Sequence, residues 1–295
     1  MNSKNIKKHL NAKIKDWLST IDDENVKCTI LKNAIITGGA LVSLLTGETV
    51  NDYDVYLKTK EACITVSDYY VNKWNNTHPD NMAELKVDDT GRISVFVQSK
   101  GIVTEDGYRT EGEEDVFVDT DDSDIPSSED NKQVSKPRYR PVYMTSNAIT
   151  LSNKVQIVIR FYGDVNEIHK NYDFAHCTCA WSAWSNELFL PEKALECIIN
   201  KELFYIGSRY PLCSIIRTRK YLERGYHIDA GQYLKMAIQL NQLDLNNIDV
   251  LKDQLVGVDS TYFSLLIEAL KPKADESGKL NIDSSYVIEV VNRLF

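Results

Sequence analysis

The stretch from Ala34 to Lys58 dictates a strand, a glycine turn, a short helix and a second strand in immediate succession. Ala34-Ile35-Ile36-Thr37 is a short apolar strand that runs into Gly38-Gly39. Ala40 to Leu45 reads as a short helix, which Thr46-Gly47 ends. Asp52 to Lys58 is a strand again. Side chains alternate along a strand, so Asp52 and Asp54 face one way while Tyr53 and Val55 face the other. Two carboxylates on one face cannot both stay charged at close range without a cation. Hard divalent cations that take oxygen ligands, Mg²⁺ above all, meet that need. The glycines lack a Cβ, so their backbone N–H groups can approach a phosphate closely. The stretch is therefore a candidate site for a metal-bound nucleoside triphosphate.

The flanking sequence predicts where this site is housed. Ile6, Leu10, Ile14, Trp17, Leu18 and Ile21 recur at helical spacing over residues 3–22, an amphipathic helix packed on the next domain. Thr59 is placed to cap a helix running to about Asn75. Strand candidates follow within 83–99, then at 143–145, 148–151 and 154–161, where Val155, Ile157 and Ile159 alternate with Gln156, Val158 and Arg160. Residues 172–181 read as a further strand. From Pro191 the period turns helical, with helices expected at about 212–224, 229–241, 247–256, 260–270 and 283–294. The fold class expected is α+β: a head with a mixed sheet flanked by helices, then an all-helical neck and body. The expected boundaries are 1–30 for the N-terminal helix, 31–185 for the head and 186–295 for the helical part.

Charge is distributed unevenly. The 295-residue chain carries a net −9, yet residues 105–130 hold twelve acids against one base, Arg109. Outside that segment the chain is slightly basic. The stretch 103–135 is expected to be a disordered or loosely attached acidic insertion. No apolar run reaches the roughly 20 residues of a membrane span. The basic N-terminus lacks the apolar core of a secretion signal. The six cysteines form no C-x-x-C pair. Reduced thiols in the cytoplasm, the host's if the chain is viral, are therefore expected.

The stretch 38–54 resembles the active-site signature of the template-independent nucleotidyltransferases of the DNA polymerase β superfamily, in particular bacterial tRNA CCA-adding enzymes and poly(A) polymerases. That pattern runs glycine-glycine, a small helix with paired leucines, a glycine, then Asp-x-Asp, and it fits from Gly38 to Asp54 without a gap. Tyr172-Asp173-Phe174-Ala175 resembles the family's Arg-Asp-Phe-Thr strand. Tyr210 to Asp229 resembles its neck helix, with Arg217, Arg219 and Lys220. The combination of Tyr-Asp-Phe-Ala-His-Cys with Arg-Tyr-Pro-Leu-Cys is also similar to nucleotidyltransferase-like proteins of tailed bacteriophages. The chain departs from the CCA-adding pattern at Val42-Ser43, where an Arg-Asp pair is usual. It departs again at Tyr210, where the neck has an acid, and at Cys213, where it has an arginine. These departures weaken CCA addition specifically.

The resemblance implies a polymerase-β-like head and two-metal transfer of NMP from an NTP to a hydroxyl, most simply an RNA 3′ end. Asp52 and Asp54 would hold two Mg²⁺ ions, with Asp173 as third carboxylate. Gly38 and Gly39 would cradle phosphates, with the Ser43 hydroxyl beside them. Arg217, Arg219, Lys220 and Arg160 are the candidate cationic partners of the nucleotide. Two other readings stand: NMP transfer to a protein or small-molecule hydroxyl, and a catalytically silent scaffold that binds nucleotide, RNA or a protein. His176, Cys177 and Cys179 do not supply the convergent ligands of a zinc site. Trp181 and Trp184 read as packing residues.

Overall fold

The structure, a computed structural model, describes residues 2–97 and 137–245 together with Asn247, Val250, Leu251 and Gln254. The acidic stretch 103–135 and the helices expected at 260–270 and 283–294 lie outside the described residues, as does most of the one expected at 247–256. The described chain divides into two compact units. One extends to Ile168 and adds Cys179–Leu190; the other joins His169–Thr178 to the residues from Pro191 onward.

The first unit is an α+β structure. It opens with α1 (Ser3–Leu18) and α2 (Glu24–Asn33), followed by β1 (Ala34–Thr37), α3 (Gly39–Thr46), β2 (Tyr53–Leu57) and α4 (Lys60–Thr77). Then come β3 (Ala83–Val87), β4 (Ile93–Val97), β5 (Pro141–Met144), β6 (Ala148–Leu151), β7 (Val155–Val158), α5 (Val165–His169), β8 (Ala180–Ser182) and β9 (Glu187–Phe189). Seven strands form one sheet in the order β5-β6-β7-β2-β1-β8-β9. Every neighbouring pair is antiparallel except β2 and β7, so the sheet is mixed. β3 and β4 form a separate hairpin.

Local chemistry explains the boundaries. The Asn2 side chain caps α1 by accepting from the Asn5 N–H, and the Thr59 hydroxyl caps α4 by accepting from the Ala62 N–H. The helix expected over 3–22 stops at Leu18. Asp23 then accepts hydrogen bonds from the Asn25 and Val26 N–H groups and starts α2, an element the hydrophobic period alone did not separate. The core lies on the face of the sheet that carries Ile36, Val55, Leu57 and Ile157, all buried. Helices α2 and α4 pack onto β2. Helix α1 joins them by burying Ile6, Leu10, Ile14 and Trp17; the Trp17 Nε1–H donates to the Tyr70 hydroxyl of α4 at 2.6 Å.

The second unit contains α6 (Glu192–Asn200), α7 (Pro211–Glu223) and α8 (Ala230–Leu240) around a core of Phe174, Leu203, Tyr205, Tyr226 and Met236. The strand expected over 172–181 is not formed. Phe174 makes a single bridge to Tyr205, Ala175–Cys177 is a turn of 3₁₀ helix, and only Ala180–Ser182 is strand. The cause is a local competitor. The Thr178 hydroxyl donates to the Ala175 carbonyl at 2.7 Å. The Ala175 N–H meanwhile finds Phe204 O, and the Asp173 carbonyl accepts from Ile206.

Candidate active site

The glycine pair and the two aspartates meet at one end of the first unit's sheet. β1 pairs with β2 so that Thr37 stands opposite Asp54. Asp54 is therefore the cross-strand neighbour of the residue that leads into Gly38. Directly opposite residues share a face, and alternation along β2 holds: Asp52 is exposed, Tyr53 buried, Asp54 half-buried and Val55 buried. Tyr53 is fastened from behind by α1. His9 Nε2 lies 2.6 Å from its hydroxyl, and the Lys13 ammonium lies 4.9 Å from its ring centre.

Gly38 has φ 79° and ψ −143°, a combination that residues with side chains rarely adopt. It turns the chain from β1 into α3, and its carbonyl accepts from the Leu41 and Val42 N–H groups. No side chain caps this helix and its first turn holds no acid. The first N–H groups of a helix have no acceptor within it, and the helix dipole makes that end positive. The end is therefore suited to an anion. Alanine at position 38 should cost about 1–3 kcal/mol of stability from backbone strain. At Gly39 an added Cβ would meet nothing within 4 Å. Gly39→Ala is expected to be neutral or to stabilise by up to about 1 kcal/mol, while its methyl would narrow the space through which an anion could approach the helix end. Urea unfolding and nucleotide titration of the two variants separate the effects.

The remaining predicted residues are placed as follows. Ser43 is half-buried on α3, and its carbonyl accepts from the Gly47 and Glu48 N–H groups at the helix end. Arg160 follows β7, four residues beyond Gln156, the β7 partner of Asp54. At strand rise this puts it about 13 Å along the sheet from Asp54. Its guanidinium donates to Asn147 Oδ1 at 3.2 Å. In the second unit Asp173, 4% exposed, binds Arg217 of α7 with an N···O distance of 2.7 Å. Burial is the largest single influence on Arg217 and works to lower its pKa, but the Asp173 carboxylate, Tyr221 and Cys213 together raise it, and the net direction is up. Arg219 is exposed and paired with Glu223 at 3.2 Å. Lys220 is exposed, and Arg224 lies just past the end of α7. Among the described residues no group of three or more His, Cys, Asp or Glu side chains is arranged to hold a metal.

The sequence profile of Gad2, the Gabija anti-defense 2 family, matches residues 8–201. The chain belongs to this family. A curated relative, Gabija anti-defense 2 of Bacillus phage SPbetaL7, is 21% identical over 285 residues. That alignment covers 93% of this chain and 56% of the relative, so the chain spans about half the length of the curated relative it matches. The bacteriophage likeness read from the sequence is met by this relative. Among solved structures, the Thermotoga maritima CCA-adding enzyme complexed with tRNA is 11% identical with a TM-score of 0.40, covering 95% of this chain and 68% of that one. The Bacillus stearothermophilus CCA-adding enzyme in complex with CTP is 12% identical with a TM-score of 0.35, covering 83% and 50%. Both likenesses are low.

Sequence reasoning overlooked the surroundings of His176. The ring is 1% exposed and packs against Tyr221 and Tyr226 at centroid distances of 4.5 and 4.7 Å. Nε2 lies 3.2 Å from Cys177 Sγ, while Nδ1 is buried without a hydrogen-bond partner. Burial pushes the His176 pKa down to about 4, against a raising effect of Asp173 and with a small further lowering by Arg224. The unfolded chain thus takes up the proton first. His176 contributes its full stability above pH 6.5, and the contribution is lost as pH falls from 6.5 towards 4. The loss is on the order of 3 kcal/mol. Burial pushes His169 down to about 4 as well, with the same sign. Urea unfolding at pH 7 and pH 4.5 is expected to show this loss, and His176→Phe to reduce it.

Proposed function

We propose that this Gad2-family chain is a metal-dependent nucleotidyltransferase that moves NMP from an NTP to a hydroxyl acceptor. One observation carries the reading: the strand register sets Asp54 beside the glycine-started, uncapped N-terminus of α3. An acidic pair and an anion-seeking helix end side by side suit a metal-bound polyphosphate. The carboxylate oxygens of Asp52 and Asp54 are the hard donors that Mg²⁺ prefers. Asp52 and Asp54 would hold two Mg²⁺ ions, which when bound activate the attacking hydroxyl and stabilise the leaving pyrophosphate. The backbone N–H groups at Gly39 and Ala40 would orient the phosphates, and Ser43 on the next turn would add a hydroxyl. Asp173 and Arg217 would act as a pair, the carboxylate aiming the guanidinium. Exposed Arg219 and Lys220 would meet phosphate or the acceptor backbone. Arg160, held by Asn147, would support the sheet rather than the nucleotide. We propose boundaries of 31–185 for the catalytic head and 186–295 for the helical part, with 169–178 packing in the second unit.

The acceptor is an RNA 3′ end in the simplest form of this reading. The family's anti-defense name favours a second acceptor, a hydroxyl on a protein of the host's defence. Among the described residues no helix is long and apolar enough to cross a membrane, and a cytoplasmic site of action accords with both acceptors. The test is incubation of the chain with each of the four labelled NTPs and Mg²⁺ against total RNA, host protein and the chain itself. Label is expected in one acceptor class and to vanish with EDTA. Failure of all four NTPs on all acceptors would overturn the enzymatic reading in favour of a silent nucleotide-binding scaffold.

A further inference from the structure

We propose that Gln156 supplies the third, uncharged oxygen ligand of the Asp52/Asp54 metal site, so that the site takes its full complement of two metal ions only together with a nucleotide. The inference rests on the metal-nucleotide reading above. Its basis is a row of polar residues across four neighbouring strands. Thr37 of β1 is in register with Asp54 of β2, Asp54 with Gln156 of β7, and Gln156 with Thr150 of β6. In-register neighbours point to the same face, with Cβ atoms about 5 Å apart. Along β7 the flanking Val155 and Ile157 are buried in the core and Gln156 is half-buried, so the amide lies on the face of Asp54. Its Nε2 donates to the Thr150 hydroxyl at 3.3 Å, on the side away from Asp54. That bond spends the amide's donor end on β6 and leaves the acceptor end, Oε1, to serve as the ligand.

Carbonyl oxygens are accepted ligands of hard divalent ions, alongside carboxylates and water. A site of two carboxylates and one amide carries a charge of −2, enough to balance one divalent ion. Loading a second ion then needs negative charge from elsewhere, and the nucleotide's phosphates are its source. Gln156 in this way sets the order of loading and restricts the ligand class to metal-bound nucleotides. A carboxylate at the same point would make the site −3 and strengthen metal binding in the absence of nucleotide.

The experiment uses the full chain and Mn²⁺ as the paramagnetic stand-in for Mg²⁺, titrated by EPR alone and with ATP. Wild-type protein should bind Mn²⁺ weakly alone and at least about tenfold more tightly with ATP. Gln156→Glu should tighten binding of Mn²⁺ alone by about tenfold and reduce the dependence on ATP. Gln156→Ala should weaken the ATP-dependent binding several-fold, and Thr150→Val, which only releases the amide, should weaken it less. Unfolding curves identify any variant that has lost its fold. If Asp54→Asn abolishes Mn²⁺ binding while Gln156→Glu and Gln156→Ala both behave as wild type, the Gln156 role is overturned and the aspartate site stands. If wild type and Gln156→Glu both fail to bind Mn²⁺ with or without ATP, the metal site itself is overturned.

Discussion

Replacing Asp52 and Asp54 together by alanine is expected to reduce NMP transfer by roughly 10³-fold or more, to background in a labelled-NTP assay. Metal ions at such sites supply several kcal/mol of transition-state stabilisation, and each 1.36 kcal/mol is a factor of ten. Without the two carboxylates, nothing else in the row from Thr37 to Thr150 carries charge to hold a cation. Stability should change far less. Asp52 is exposed and Asp54 half-buried, so the double variant should stay folded and unfold within about 1 kcal/mol of wild type in urea. A sharp loss of activity with stability little changed marks residues kept for chemistry. If the activity survives, the nucleotide site lies elsewhere; if stability collapses, the pair is structural. Asp54→Asn alone should already remove most of the activity, since it keeps the shape of the side chain and cancels its charge.

What could be read from the sequence was what neighbours in sequence decide. The strand of Ala34–Thr37, the short helix closed by Gly47 in the left-handed conformation, and the Thr59 cap of α4 all formed as expected. Each depends on contacts within a few residues. The alternation of Val155, Ile157 and Ile159 likewise gave the buried face of β7 directly. What failed depended on distant partners. The segment 172–181 has the composition of a strand, but its backbone is claimed by Phe204 and Ile206 and by the Thr178 turn. The site divides along the same line. Asp52, Asp54, Gly38 and Gly39 lie within one motif, and the motif is legible. Gln156 comes into register with Asp54 only through a parallel pairing of strands about a hundred residues apart, and a register of that kind is set by the whole sheet. His9 reaches Tyr53 from 44 residues away, so the brace behind the acidic pair was equally invisible.

Arg217→Ala is expected to destabilise the chain by about 3 kcal/mol, the low end of what is measured when one partner of a buried ion pair is removed. Asp173 has a side chain only 6% exposed, and its Oδ2 sits 2.7 Å from the guanidinium. Without the arginine a carboxylate is left in a largely dry setting, and it must either stay charged at a cost or take up a proton. The Arg217 side chain is 36% exposed, so water can enter as it leaves and the cost stays at the lower end. Asp173→Asn should be milder, about 1 kcal/mol, because the guanidinium can turn to solvent. The double variant Asp173→Asn/Arg217→Ala should recover most of the loss, since no charge is then stranded. Urea unfolding of the four proteins forms a cycle that gives the coupling directly. The same proteins decide the role of Asp173 in the chemistry. As a metal ligand, Asp173 would lose activity on the scale of Asp54→Asn, whether or not Arg217 is present. As the residue that aims Arg217, it would lose no more than its partner does, and the double variant would be no less active than Arg217→Ala. The 2.7 Å pairing favours the second outcome, because the guanidinium already balances the carboxylate's charge and would repel a metal cation bound beside it.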